Sequence, residues 1–213
     1  MKIIYILIIL FPILLSNCKK PTKGYSVEEV WAYREDKLYK TLFPEKPDKV
    51  LLLAPNAENA LSPSSHYGTF EIPPSKDRPY YTYVTSGMSN PTDEDLAGKS
   101  GYGIELVLHS KTKLSWAPGL LNQLTMNVVD RGVIFDFNHR IPLPEALHGS
   151  DQMIHAFILF DNKAQMPSSQ TLPSGQFKFL TMMGVTEAEY KRAQKTSSAE
   201  VINDLLLKKR WLN

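Results

Sequence analysis

The chain contains a single cysteine, Cys18, which follows an apolar run at residues 3–15. One cysteine cannot form an intramolecular disulfide or a cysteine-based metal site, so neither kind of cross-link can hold the fold together. The 213 residues must therefore be stabilised by a hydrophobic core, and a chain of this length can bury one. Hydrophobic content of 43% and charged content of 22% are ordinary for a globular protein, and we expect one domain.

The N-terminal residues are organised like a secretory signal. Lys2 precedes the apolar run, and that run is shorter than the ~20 apolar residues that a membrane-spanning helix needs. Residues 15–18 (LSNC) resemble the lipobox of bacterial lipoproteins, in which the signal is cut before the cysteine, the cysteine sulfur receives a diacylglycerol and the new amino group is acylated. Asn17 departs from the usual glycine or alanine. An ordinary signal peptide that ends in an incidental cysteine is the alternative.

These features divide the chain into three parts. We expect residues 1–17 to be a lipoprotein signal peptide and residues 18–25 to comprise the lipidated Cys18 and a short lysine-containing tether. Residues 26–213 are expected to form the folded domain. The implied location is the bacterial cell envelope, with a lipid anchor in a membrane, at the outer membrane or the periplasmic face.

Capping signals and hydrophobic periodicity predict the helices. Three capping boxes predict helix starts, at Ser26 with Glu29, Thr186 with Glu189, and Ser197 with Glu200. The first of these helices carries an apolar stripe that stops at Pro44. A further helix is predicted at residues 116–129, with Gly132 at its end.

Runs of β-forming residues predict the strands, at residues 49–54, 67–72, 80–85, 104–109, 133–137, 155–160 and 176–182. Residues 56–65 are rich in Ala, Asn, Ser and Pro and predict a loop. Strands in the middle of the chain, with helices at both ends and one between, indicate an α+β fold.

The side chains that could carry chemistry do not form a known catalytic motif. The five histidines, His66, His109, His139, His148 and His155, lie in separate predicted elements and lack the spacing of HExxH. Glu105 and Asp136 fall on different predicted strands, and we interpret each as a solvated residue on a polar strand face rather than as an acid–base pair. No phosphate-binding loop or GxSxG elbow occurs, so no cofactor and no small-molecule substrate are expected. The formal charge of +2, without a basic stripe, argues against nucleic-acid binding.

Four segments in order resemble a known family. Residues 73–89 (PPSKDRPYYTYVTSGMS) are similar to the signature of the Suppressor of fused domain family, and residues 104–108, 138–151 and 179–189 resemble later segments of it. The resemblance implies an α+β domain with a mixed central β-sheet flanked by helices, without catalytic residues, that binds another protein. The motif positions have either a structural or a binding role, and they are Thr85, Ser86, Gly87, Met88 and Ser89 in the first segment and His139, Ile141 and Pro142 in the second.

The family suggests how such a domain works. Its animal member grips a short peptide by strand addition, and bacterial members include immunity proteins that neutralise toxins. Our leading hypothesis is therefore a non-enzymatic, lipid-anchored protein-binding domain whose partner is a protein, with an immunity role against a toxin as its sharpest form. Two alternatives remain: an envelope hydrolase or metalloenzyme that uses several histidines, and a structural envelope lipoprotein without a specific ligand.

Overall fold

The structure, a computed structural model, describes residues 24–47, 51–52, 67–92 and 98–213, with only the main chain of residues 51–52. The predicted signal peptide, Cys18, His66 and the loop at residues 56–65 lie outside these ranges. Within the described part of the chain, no helix is long and apolar enough to cross a membrane.

One mixed β-sheet organises the domain and confirms the α+β prediction. Eight strands take part, in the order β1-β2-β3-β4-β8-β6-β5, and β7 pairs with the first part of β8. Strands β4 and β8 are parallel, whereas every other pair is antiparallel. The strands are β1 (Leu51–Leu52), β2 (Gly68–Ile72), β3 (Tyr81–Ser86), β4 (Lys99–Ser110), β5 (Arg140–His148), β6 (Met153–Phe160), β7 (Ser169–Leu172) and β8 (Gly175–Val185).

Helices cover both faces of this sheet. On one face, α3 (Ala117–Arg131) packs on alternate residues of the central strands, such as Leu106, Leu108 and Met182. On the other face, the N-terminal helix and the pair α4 (Glu187–Lys195) and α5 (Ser198–Leu207) cover separate apolar clusters. The sheet is thus buried between two layers, and successive residues of its central strands are accordingly buried on both faces.

The N-terminal helix changes its winding partway along. It begins as α1 (Val27–Ala32), widens into a π-helical segment (Tyr33–Tyr39) and ends as α2 (Lys40–Leu42). The predicted capping box between Ser26 and Glu29 is formed. Segments of π-helix are rare in proteins and occur frequently at functional sites.

The sheet differs from its prediction in two ways. Residues 133–137 are a loop and not a strand, because left-handed residues on either side, Gly132 (φ 64°) and Asn138 (φ 68°), turn the chain away from the sheet. Two strands were also missed: β7, and β5, whose prolines argued against a strand. Prolines are tolerated in β5 because it is the last strand in the sheet.

Candidate functional site

Glu105 lies at the centre of a buried polar corner, which corrects its interpretation as a solvated residue. It is 0% exposed on β4, on the face covered by the N-terminal helix. The carboxylate Oε1 accepts from the main-chain N–H groups of Gly87 and Ser89, each at 3.0 Å, and from the Ser89 hydroxyl at 2.7 Å. The Thr85 hydroxyl donates to Oε2 at 2.6 Å. The TSGMS motif is therefore the turn that binds this carboxylate.

Arg34 supplies the positive charge of the corner from the π-helical segment. Its Nε lies 3.9 Å from Glu105 Oε1 and donates to Ser86 Oγ at 3.0 Å. Its Nη1 donates to Ser89 Oγ at 3.1 Å and to Asn90 Oδ1 at 2.8 Å. Arg34 is 0% exposed, so a full ion pair is held in the core.

Glu35 extends the network on the next residue of the same segment. It accepts from the Ser86 hydroxyl at 2.6 Å and from the indole N–H of Trp31. Burial raises the pKa of Glu35 above its ordinary value, although these hydrogen bonds act in the opposite direction. The sequence contained a signal for the burial of Arg34, because this residue lies four positions from both Val30 and Leu38, which belong to the apolar stripe of the first helix.

The burial of this corner limits what it can do chemically. All five motif residues from Thr85 to Ser89 are buried, as are Arg34 and Glu35. A substrate or partner in solution has no access to these side chains in this conformation. The arrangement joins the N-terminal helix to β3 and β4.

The second motif lies on the outermost strand, β5. His139, Arg140 and Pro142 are exposed, and Ile141 is buried against the α3 side of the sheet. The main chain forms a bulge where β5 begins, since Asn138 N–H donates to Leu159 O at 2.7 Å and Leu159 N–H donates to His139 O at 2.9 Å. The second motif, unlike the first, is therefore largely accessible from solvent.

Pro142 weakens the free edge of β5 for strand addition. Antiparallel residues alternate between pairs that bond to the neighbouring strand and pairs that point away from it. The main chain of His139 bonds to β6, so by this alternation Ile141, two residues later, belongs to the next bonded pair. The main chain of Pro142, the residue after Ile141, therefore points away from β6. Proline has no N–H, so an added strand would lack a hydrogen bond there.

A cleft opens beside the start of β5. It has a volume of ≈ 480 Å³ and lies between the loop that follows α3 and one side of α4. The residues that line it are Val133, Ile134, Phe135, Asn138, His139, Arg140, Tyr190 and Gln194. We call this the β5 cleft. Ile134 is 81% exposed and Val133 is 37% exposed, which places two neighbouring aliphatic side chains in solvent.

The described histidines do not converge. His139 is exposed and accepts from Asp136 N–H at 3.2 Å through Nδ1, whereas His148 is exposed at the other end of β5 and His155 is half-buried on β6. Asp136 is exposed in the loop and not on a strand. Among the residues that the structure describes, no group of three His, Cys, Asp or Glu side chains could hold a metal ion.

His109 is the one described histidine that is fully enclosed. It is 2% exposed, and its ring packs edge-on against Tyr80 at 5.1 Å and Trp211 at 5.5 Å. Burial lowers its pKa from 6.5 to about 3, and the charge of Arg78 adds to this effect. His109 is therefore neutral at ordinary pH.

The sequence matches the family model of the Suppressor of fused protein over residues 63–213. Similar folds occur in a solved Sufu–Fu complex (TM-score 0.62, 18% identity, 83% of this chain and 84% of that chain). The structure of a Suppressor of fused homologue from Neisseria gonorrhoeae is also similar (TM-score 0.60, 11% identity, 87% of this chain and 94% of that chain). Drosophila Suppressor of fused matches with a TM-score of 0.53 and 20% identity over 65% of this chain, which spans 38% of the Drosophila chain. No curated protein matches the sequence.

Proposed function

The chain belongs to the Suppressor of fused family, and from this membership we propose that it acts by binding another protein and not by catalysis. One relative with the same fold was solved in a complex, Sufu with Fu. The observation that carries the proposal is the β5 cleft with its exposed Ile134. The other conspicuous polar cluster, around Glu105, is closed to solvent.

The β5 cleft has the composition of a protein-binding surface. Aliphatic and aromatic side chains from the loop and from Tyr190 line it, and polar groups of Asn138, His139 and Gln194 lie among them. Interfaces place apolar anchors in such concave sites and surround them with polar groups. Since Pro142 weakens main-chain pairing along β5, the partner is expected to dock mainly through side chains.

Photo-crosslinking at single positions tests this proposal. Benzoylphenylalanine at position 134 should capture a partner in the native host, because Ile134 would lie inside the interface. Leu207 offers a matched control, since it is an aliphatic residue 85% exposed on α5. One protein captured from position 134 and not from position 207 is the expected result. Equal capture at both positions, or at neither, would contradict a binding surface at the β5 cleft.

We propose further that the protein is exported and anchored by lipid at Cys18. The sequence of residues 1–18 supports this, as do the lysines that follow. Metabolic labelling with an alkyne fatty acid should mark the wild-type chain, and Cys18→Ala should abolish the label and release the protein from the membrane fraction. An unlabelled wild-type chain would refute the lipid anchor without bearing on the β5 cleft.

The most specific function that we propose is immunity against a toxin. A binding domain at the envelope could intercept a toxin as it arrives, and the family resemblance of the sequence, which implies immunity proteins among bacterial members, motivates the idea. Cells that lack the gene should be killed by toxin-producing neighbours and rescued by the wild-type gene, whereas Ile134→Asp should fail to rescue. Full survival without the gene would remove the immunity role.

A further inference from the structure

Two arginines differ from the rest in their pairing. The chain has six arginines, and four of them lie beside carboxylates: Arg34 with Glu105, Arg78 with Glu45, Arg192 with Asp204 and Arg210 with Glu189. Within the described ranges, no carboxylate forms an ion pair with Arg131 or Arg140. Among the described residues, four guanidinium groups are thus paired with a carboxylate and two are not.

Both of these arginines flank the loop that forms the β5 cleft. Arg131 is the last residue of α3, two positions before Val133, and Arg140 is the first residue of β5. Arg140 lines the cleft, and its Nη1 donates to Ala193 O at 2.5 Å. This bond fixes the guanidinium at the β5 start without neutralising it.

The wall of the β5 cleft is otherwise without charge. None of its described lining residues is acidic, and its basic residues are Arg140 and His139. Asp136 lies in the same loop but is paired with Lys178 at 3.2 Å. The cleft therefore combines positive charge with the exposed aliphatic side chains of Val133 and Ile134.

We propose that the partner presents an acidic segment to this cleft, in which an aliphatic or aromatic side chain stands next to one or two carboxylates. The inference rests on the proposed function and adds the chemistry of the partner. The apolar side chain would pack on Ile134, and the carboxylates would pair with Arg140 and Arg131, whose planar guanidinium groups suit bidentate binding. A concave site of ≈ 480 Å³ suits an inserted side chain, whereas an anionic membrane would call for a cluster of cations on an open surface.

Selection from a random peptide library against the immobilised full chain tests this chemistry. The expected peptides carry Asp or Glu within two positions of an aliphatic or aromatic residue. A selected peptide should bind roughly fivefold more weakly to Arg140→Gln and to Arg131→Gln than to wild type. Lys76→Gln is a matched control, because it removes one exposed positive charge in the turn between β2 and β3. Raising NaCl from about 0.05 to 0.5 M should weaken binding by about tenfold.

The results of the peptide selection test the acidic partner and the β5 cleft separately. Selected peptides without acidic residues, whose binding is lost in Ile134→Ser, would overturn the acidic partner and leave the β5 cleft as a binding site. Peptides insensitive to Ile134→Ser would contradict both. Binding reduced equally by Arg140→Gln and Lys76→Gln would show a general charge effect and refute the assignment of Arg140. Vesicles with anionic lipid that bind in an Arg140-dependent way, when no peptide does, would replace the acidic peptide by a membrane surface.

Discussion

Glu105 carries a negative charge in the core, where Arg34 neutralises it and the TSGMS turn donates hydrogen bonds to it. Replacing it by glutamine would remove the carboxylate charge that pairs with the buried Arg34 and would place an amide N–H₂ against the Thr85 hydroxyl, which donates to this carboxylate. Removing one partner of a buried ion pair costs about 3–5 kcal/mol. We expect Glu105→Gln to lower the free energy of unfolding by about this amount in urea denaturation.

Asp136 provides the matched control for this measurement. It is a carboxylate paired with a lysine, Lys178, but both side chains are about half exposed, at 52% and 45%. Water solvates each charge when the pair is broken, so Asp136→Asn should change stability little. A similar loss in both variants would mean that burial of the Glu105 pair is not what matters.

His109 makes stability depend on pH in the acidic range. Its pKa is about 3 in the folded protein and about 6.5 in an unfolded chain. The unfolded state thus binds a proton between these values and the folded state does not, so stability is full above pH 6.5 and declines as the pH falls towards 3. Between pH 7 and pH 5 the decline from this group is about 2 kcal/mol.

Substitution by glutamine isolates the contribution of His109 from other titrating groups. Glutamine stays neutral and can still hydrogen-bond to the Thr82 hydroxyl, which lies 3.0 Å from Nδ1 of His109. We expect the unfolding free energy of His109→Gln to be flatter between pH 7 and pH 5 than that of wild type. Parallel curves for the two proteins would show that His109 does not govern this slope.

At the scale of an element, the start of β4 depends on a glycine. Gly101 has φ 56°, and a Cβ there would lie 2.1 Å from the main-chain oxygen of Asn90 in the TSGMS corner. Gly101→Ala should therefore cost on the order of 3 kcal/mol by thermal unfolding. Gly119→Ala is the control, because that helical position is open and alanine there should add about 0.5–1 kcal/mol. Equal effects would contradict a close approach at Gly101.

Local signals predicted most helices and strands, but they did not predict the loop at residues 133–137 or strands β5 and β7. Capping residues such as Thr186 act within a few positions, so the start of α4 could be located from the sequence. The alternation in residues 133–137 imitates a strand, yet Phe135 and Phe137 pack against the α3 cluster from a loop. Strand β5 was missed because its prolines are compatible only with an edge, and sheet order is a long-range property.

At the scale of the whole molecule, the β5 cleft and the Glu105 corner depend on contacts between distant segments. Arg34 and Glu105 meet because the N-terminal helix crosses β4, and no local pattern encodes that meeting. The motif resemblance identified both segments, TSGMS at residues 85–89 and HRIP at residues 139–142. It could not tell that the first is buried and that the second is largely exposed. Burial decides this, and burial follows from the order of strands in the sheet.

The two apolar clusters on the second face of the sheet suggest separate units of local stability. The N-terminal helix covers one, and α4, α5 and Trp211 cover the other. Asn213 ties this second unit to the sheet, since its Nδ2 donates to His109 O at 3.1 Å and to Met182 O at 2.8 Å. The main-chain N–H of Gly184 donates to Oδ1 of the same side chain.

Removing the Asn213 side chain should loosen one unit and spare the other. Asn213→Ala leaves several buried polar groups unpaired, at about 1–3 kcal/mol each. Native-state hydrogen exchange should accelerate for the Gly184 amide and for α4 and α5, while the amides of β3 keep their protection. Asn203→Ala, on the exposed side of α5, should leave every rate unchanged. Uniform acceleration through β3 as well would show that both clusters open as one cooperative core.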